Sequence, residues 1–223
     1  MNKIVFLLVV CPQLVHTRND RTKLVTIQKI NPNIIVELVY ASPHNFTKQR
    51  VYETEICCIL EEVALQLDAV QKELECMISK KHPQGLCLKI WDGYRPLSAQ
   101  KKMWQACAKQ YPDEKERARY VANPALDGGR HTRGTSVDVT LIDRATGKEL
   151  EMGSAFDDFS RKSHRNYPGL SQEVRYNRTL LETVMARHNF KSINSEWWHF
   201  DYYTWQDHVP LDIPLCQLVC AVS

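Results

Sequence analysis

His131-Thr-Arg-Gly-Thr-Ser-Val-Asp-Val-Thr-Leu-Ile142 passes from a glycine-flexed loop into a strand, and the reading of the whole chain turns on it. From Ser136 onward the residues suit a strand, in which side chains alternate between the two faces of a sheet. Asp138 is the anomaly in that run. A carboxylate placed there is costly to bury unless something positive meets it. A metal ion would do so, with His131 brought in by the preceding loop. The plainer alternative is an aspartate that caps a loop or pairs with Arg133.

Outward from this stretch, strands and helices follow one another without an internal repeat. Residues 34–40 read as a strand and residues 41–50 as a loop. In residues 54–78 the apolar positions Ile56, Leu60, Val63, Leu67, Val70 and Leu74 recur at three- and four-residue steps, which predicts a long amphipathic helix. Residues 86–91 predict a strand broken by Asp92-Gly93, and Ser98 is the expected N-cap of a helix to about Gln110. A short helix is expected within residues 113–121. The turn Ala145-Thr-Gly147 predicts a hairpin. Ser171 is the expected cap of a helix to about His188, and residues 191–203 predict the last strand. This irregular order predicts a single α+β domain, with helices flanking a largely antiparallel central sheet.

The 223 residues suffice for one substantial core, and 43% hydrophobic with 25% charged residues is an ordinary globular balance. A net charge of +3, with Lys and Arg interleaved among acids, gives no footprint for nucleic acid. Residues 1–17 stand apart: a basic start at Met1-Asn-Lys3, a short apolar run, then Cys11-Pro12. That run is too short to span a bilayer and suits the apolar part of a secretory signal. It predicts export to the periplasm or cell envelope, leaving residues 18–223 as the domain; a cytoplasmic chain with an N-terminal strand is the alternative. The eight cysteines include no CxxC pair and none near the histidine segments, which argues against a Cys-based zinc site or a Cys nucleophile. Cys76 and Cys87 flank a turn, which leaves a disulfide between them open if the protein is exported. Buried free thiols are the favoured reading for most of the cysteines.

Glu196-Trp-Trp-His199 is the second segment with chemistry. On a regular strand residues three apart point to opposite faces, so Glu196 and His199 share a site only if Glu196 lies at a bend or strand entrance. Asn194 and Ser195 allow such a bend; a histidine packed beside two tryptophans is the alternative. Taken together, His131, Asp138, His199 and Glu196 supply three protein ligands and a spare carboxylate. That is the inventory of a mononuclear zinc hydrolase, with an open position for water and a base to activate it. Trp91-Asp-Gly-Tyr-Arg-Pro96 adds Arg95, placed either to hold an anion beside such a site or to pair with Asp92 and lock the turn.

Asp92-Gly-Tyr-Arg-Pro96, the His131-to-Asp138 segment, Met152-Gly-Ser-Ala-Phe-Asp157 and Glu196-Trp-Trp-His-Phe200 stand in one order along the chain. Over about residues 30–214 the sequence thereby resembles the zinc D-alanyl-D-alanine dipeptidases, the VanX-like family. The resemblance implies that His131, Asp138 and His199 are the zinc ligands and that Glu196 is the general base and acid. It implies that Arg95 stabilises the transition state and that Asp157 meets the ammonium group of the substrate. The activity implied is hydrolysis of D-alanyl-D-alanine to two D-alanines with one zinc ion per subunit, in cell-wall peptide turnover or D-alanine scavenging. The implied fold is shared with D,D-carboxypeptidases and the amino-terminal signalling domain of Hedgehog proteins. Two alternatives follow from those relatives: a D,D-carboxypeptidase acting on peptidoglycan stem peptides, and a non-catalytic zinc-stabilised binding module. In the latter the base or the arginine would be missing.

Two positions depart from the family pattern, which usually has Ser two residues before the first His and Ala two residues before the Asp. Gly129 and Ser136 stand there instead. The lost hydroxyl bears on how the substrate carboxylate is held. Neither change touches a metal ligand.

Overall fold

Backbone pairing assembles the chain around a five-stranded sheet, in a computed structural model that describes residues 23–220. The leader read at residues 1–17 lies outside the described residues. In chain order the elements are β1 (Leu24–Thr26), α1 (Ile27–Ile30), β2 (Ile35–Val36), β3 (Cys58–Leu60), α2 (Glu61–Glu75), β4 (Leu86–Asp92) and α3 (Leu97–Cys107). They continue with α4 (Glu114–Arg117), β5 (Ser136–Asp143), α5 (Gln172–Arg187), β6 (Phe190–Ser192), β7 (His199–Tyr202) and α6 (Leu215–Cys220). The main sheet has the order β2-β4-β5-β7-β6, with β2 parallel to β4 and the other neighbours antiparallel. β1 and β3 form a separate antiparallel pair. The architecture is the α+β domain the sequence predicts.

Alternation along β5 divides the sheet into two chemically different faces. Val137, Val139 and Leu141 enter the apolar core with Leu88 and Ile90 of β4 and Phe200 of β7. Val63, Leu67, Val70 and Leu74 of α2, with Leu181, Val184 and Met185 of α5, complete that core. The opposite face of β5 carries Ser136, Asp138 and Thr140. Register places Asp138 directly opposite His199 of β7 on one side and Asp92 of β4 on the other. A bulge between Ile90 and Asp92 re-aims the end of β4 so that Asp92 joins this face. Three polar residues from three strands thus lie in one row, and Ser136 opposite Asp201 begins the next row.

Pairing between distant segments accounts for the differences from the periodicity. α2 begins only at Glu61, because residues 58–60 are committed to β3 and the Leu60 N–H donates to the Gly134 carbonyl at 3.0 Å. Of residues 34–40 only Ile35–Val36 join the sheet. Val39–Ala41 then turns as a 3-10 helix that buries Tyr40, whose carbonyl accepts from the amides of both Val51 and Tyr52 at 2.9 Å. Ser98 does not cap α3, which starts behind Pro96; its N–H donates instead to the Asp212 carboxylate at 2.7 Å. Ser171 does cap α5, accepting from the Val174 N–H. The single strand expected over residues 191–203 is divided into β6 and β7. Cys76 and Cys87 are free thiols, the latter with its Sγ–H on the Asn33 carbonyl at 2.9 Å, so the disulfide left open by the sequence is not formed. Among the described residues no helix is long and apolar enough to cross a membrane.

Gly134 ends the 3-10 turn that carries His131 and has φ 68°, a left-handed conformation. A Cβ there would lie 2.9 Å from Leu24 Cδ2 and 3.2 Å from Leu60 Cγ. Gly134→Ala is expected to lower stability by about 1–3 kcal/mol, read as a fall in the urea unfolding midpoint. An unchanged midpoint would contradict the strain assigned to this turn.

Candidate metal centre and active-site cavity

Asp138 and His199 face each other across β5 and β7, and the turn Arg130–Arg133 delivers His131 beside them. All three are buried. Their outward hydrogen bonds fix which atoms face inward. His131 donates from Nδ1 to the Gly93 carbonyl at 2.8 Å, and His199 donates from Nε2 to Asp201 Oδ1 at 2.8 Å. His131 Nε2 and His199 Nδ1 are then left facing each other at 3.1 Å. Asp138 Oδ1 lies 3.0 Å from His199 Nδ1, and its Oδ2 lies 3.4 Å from His131 Nε2. Two imidazole lone pairs and a carboxylate brought together out of water repel one another unless positive charge lies between them. The spacing suits such a charge: a tetrahedron with bonds of ~2.0–2.1 Å has edges of about 3.3–3.4 Å. These three residues could therefore hold a metal ion, with a fourth position open.

The local electrostatics show the same demand for positive charge at these donors. Burial opposes ionisation of Asp138, but His131 and His199 outweigh it and hold the carboxyl far below the usual range. Burial likewise opposes a proton on His199, yet Asp201 and Asp138 push its pKa up to about 10. Arg133, the other partner considered for Asp138, donates instead to the Asp127 carbonyl at 3.0 Å.

Glu196 lies in the connection between β6 and β7, not on a regular strand, so it and His199 face the same cavity. Its Oε2 is 3.9 Å from His199 Nδ1. Burial lifts its pKa above the ordinary glutamate value, with His199 pulling down and Asp138 pushing up. Arg165 clamps this connection, donating from Nε to the Ile193 carbonyl at 2.8 Å and from Nη2 to the His199 carbonyl at 3.0 Å.

Arg95 makes the pairing with Asp92 that one reading expected, and it also stands at the cavity. It pairs with Asp92 through Nε and Nη2 and donates from Nη1 to Gln100 Oε1 at 2.8 Å, yet it lines the same cavity. Two of a guanidinium's five N–H donors stay uncommitted in that arrangement. Asp92 is itself fixed by the Tyr52 hydroxyl at 2.6 Å and the Gly93 N–H at 2.9 Å. Asp157 lines the cavity too, with φ 59°, an unusual conformation for a residue other than glycine. Both its oxygens accept from the Tyr40 hydroxyl, at 3.1 and 3.0 Å. Burial, and then the charge of Asp138, push its carboxyl well above the ordinary value. Arg178 of α5 holds the surrounding segment by donating to the carbonyls of Met152, His164 and Lys162 at 2.7–2.9 Å.

The cavity so formed, of about 310 Å³, brings together Arg95, His131, Asp138, Asp157, Glu196 and His199. Sequence reasoning did not find Tyr40, Gln100, Asp201 or the clamps Arg165 and Arg178. A signal existed for Asp201, since two residues beyond His199 on a strand is the same face. The others depend on contacts between segments far apart in the chain.

The profile of a peptidase family described as D-ala-D-ala dipeptidase matches residues 20–212. A D-alanyl-D-alanine dipeptidase of Escherichia coli (strain K12) is 37% identical over 183 residues, covering 82% of this chain and 86% of that protein. Proteins of the same name from Enterococcus faecalis (strain ATCC 700802 / V583) and Enterococcus faecium are 31% and 32% identical, each covering 72% of this chain and 82% of its own length. With a matching profile over nearly its whole length, this chain belongs to the D-alanyl-D-alanine dipeptidase family of peptidases.

Proposed function

We propose that this protein hydrolyses free D-alanyl-D-alanine to two D-alanines, with one zinc ion per chain held by His131, Asp138 and His199. The observation that carries the reading is the convergence of those donors with Glu196, Arg95 and Asp157 on one cavity. Relatives named D-alanyl-D-alanine dipeptidases support the choice of substrate. Zinc in that position would supply Lewis-acid polarisation of the scissile carbonyl and of the attacking water.

The side chains divide the remaining work. Glu196 accepts the proton of the attacking water and passes it to the leaving amine, and its raised pKa suits both directions. Arg95 turns its uncommitted N–H groups to the oxygen that becomes negative. Because Asp92 and Gln100 already lock the guanidinium, little reorganisation is needed as that charge develops. Asp157 pairs with the ammonium group of the dipeptide. A carboxylate pushed by burial toward its neutral form regains its charge when a cation is seated against it. A stem peptide has no free amine at this place and would leave Asp157 unpaired, which favours the dipeptide over longer substrates. The cavity volume of about 310 Å³ also sits at the small end of the ~300–1,000 Å³ typical of ligand pockets.

Glu196→Gln is expected to keep its zinc and lose turnover by about a hundredfold or more; full turnover in that variant would remove Glu196 as the base. Asp201→Asn leaves all three donors in place but weakens the acceptor that orients His199. Its zinc affinity is expected to fall by about 10–100-fold in chelator competition, and an undiminished affinity would contradict that orienting role. Finally, the wild-type protein should hydrolyse D-alanyl-D-alanine and leave a pentapeptide ending in D-alanyl-D-alanine nearly untouched. Comparable rates on both would favour the D,D-carboxypeptidase reading instead.

A further inference from the structure

The proposed reaction leaves the far end of the dipeptide, its carboxylate, without a partner. Gly129 offers none. It has no side chain and sits at φ 80° and ψ 161°. A Cβ built there would lie 3.0 Å from Ala122 Cβ, with Gln100 next nearest, so this loop is shaped around glycine and a hydroxyl at position 129 would crowd that wall. Arg95 already has its charge matched by Asp92. Among the residues lining the cavity, the other permanent cation is Arg130.

Arg130 is fixed at the cavity rim and only partly satisfied. Its Nη1 donates to Asp201 Oδ2, and its guanidinium stacks 4.7 Å from the Trp205 ring centroid. Its side chain is 38% exposed, so it faces solvent that a substrate can displace. Asp201 does not simply cancel the charge, because its other oxygen is shared: Oδ1 accepts from the Ser136 hydroxyl at 2.7 Å and from His199 Nε2 at 2.8 Å. The two departures from the family pattern therefore meet in one network. Gly129 removes a hydroxyl from the loop, while Ser136 secures the aspartate that positions the arginine beside that glycine.

We propose that Arg130 binds the C-terminal carboxylate of the dipeptide and so replaces the hydroxyl missing at position 129. This rests on the dipeptidase reading above. A guanidinium held by one N–H still presents a planar fork that matches a carboxylate in two parallel hydrogen bonds. With Asp157 at the ammonium end, the cavity then carries a charge partner for each end of its substrate.

The test compares D-alanyl-D-alanine with its C-terminal amide, which lacks the carboxylate charge. On the Glu196→Gln background, calorimetric Kd values are measured for both ligands with and without Arg130→Gln, and zinc content is measured in every variant. Binding of the acid is expected to weaken by about 10–100-fold, while binding of the amide changes by no more than about twofold. With Glu196 intact, the same substitution should raise KM for the dipeptide and leave kcat nearly unchanged. Equal losses for acid and amide, or no loss for either, would overturn the assignment. Should Arg130→Gln lose zinc, the comparison moves to Arg130→Lys, which keeps a charge beside Asp201 but not the fork. There the acid-to-amide preference must still fall, and an unchanged preference overturns the proposal. A wild-type protein that neither binds nor hydrolyses the dipeptide overturns the underlying reading and this assignment with it. An active wild type with an unchanged preference in the variant overturns the Arg130 assignment alone.

Discussion

Asp138 is a buried carboxylate in the middle of the sheet, and the arrangement around it follows from the need to meet its charge. The strand register does much of this: it seats His199 directly opposite on β7, and Asp92 opposite on β4 in turn holds the guanidinium of Arg95 at the same cavity. The polar row is possible because β5 turns its valines and leucine to the other face, where α2 and α5 bury them. One strand therefore supplies both the centre of the apolar core and the centre of the donor set. A one-residue slip of β5 would exchange the two faces, placing Asp138 in the core and Val137 in the cavity.

Around that row, most side chains with a proposed role are held by a hydrogen-bond partner. Asp92 and Gln100 lock Arg95, Tyr40 meets Asp157, Asp201 orients His199, and the Gly93 carbonyl orients His131. Two arginines, the half-buried Arg165 and the buried Arg178, do the same for loops by donating to backbone carbonyls on either side of Glu196 and Asp157. Such pre-set geometry spares reorganisation when charge develops on a substrate. It also explains how the residues with proposed catalytic roles can lie in loops without being loosely placed.

Much of this was legible in the sequence where the signal is local. Asp138 stood out because a carboxylate within a strand is costly to bury unless a positive charge meets it, and the Glu196–His199 spacing required a bend that the chain does make. The α5 cap at Ser171 and the strand through β5 are equally local. What the sequence hid was set by contacts between distant segments. Residues 58–60 carry a helical pattern but pair with Leu24–Thr26 as a strand. Tyr40 reads as one more strand residue until the 3-10 turn carries it to Asp157, 117 positions away. The Cys76–Cys87 pairing that the sequence left open is decided in the same way, since the Cys87 thiol turns to the Asn33 carbonyl rather than toward its neighbour across the turn.

The central claim is that His131, Asp138 and His199 hold one zinc ion on which dipeptide hydrolysis depends. The most direct measurement titrates zinc into metal-free protein while following D-alanine release from D-alanyl-D-alanine. Release is expected to rise in proportion to bound zinc and to level off at one equivalent per chain. Binding without any D-alanine release, or release that is indifferent to zinc, would contradict it.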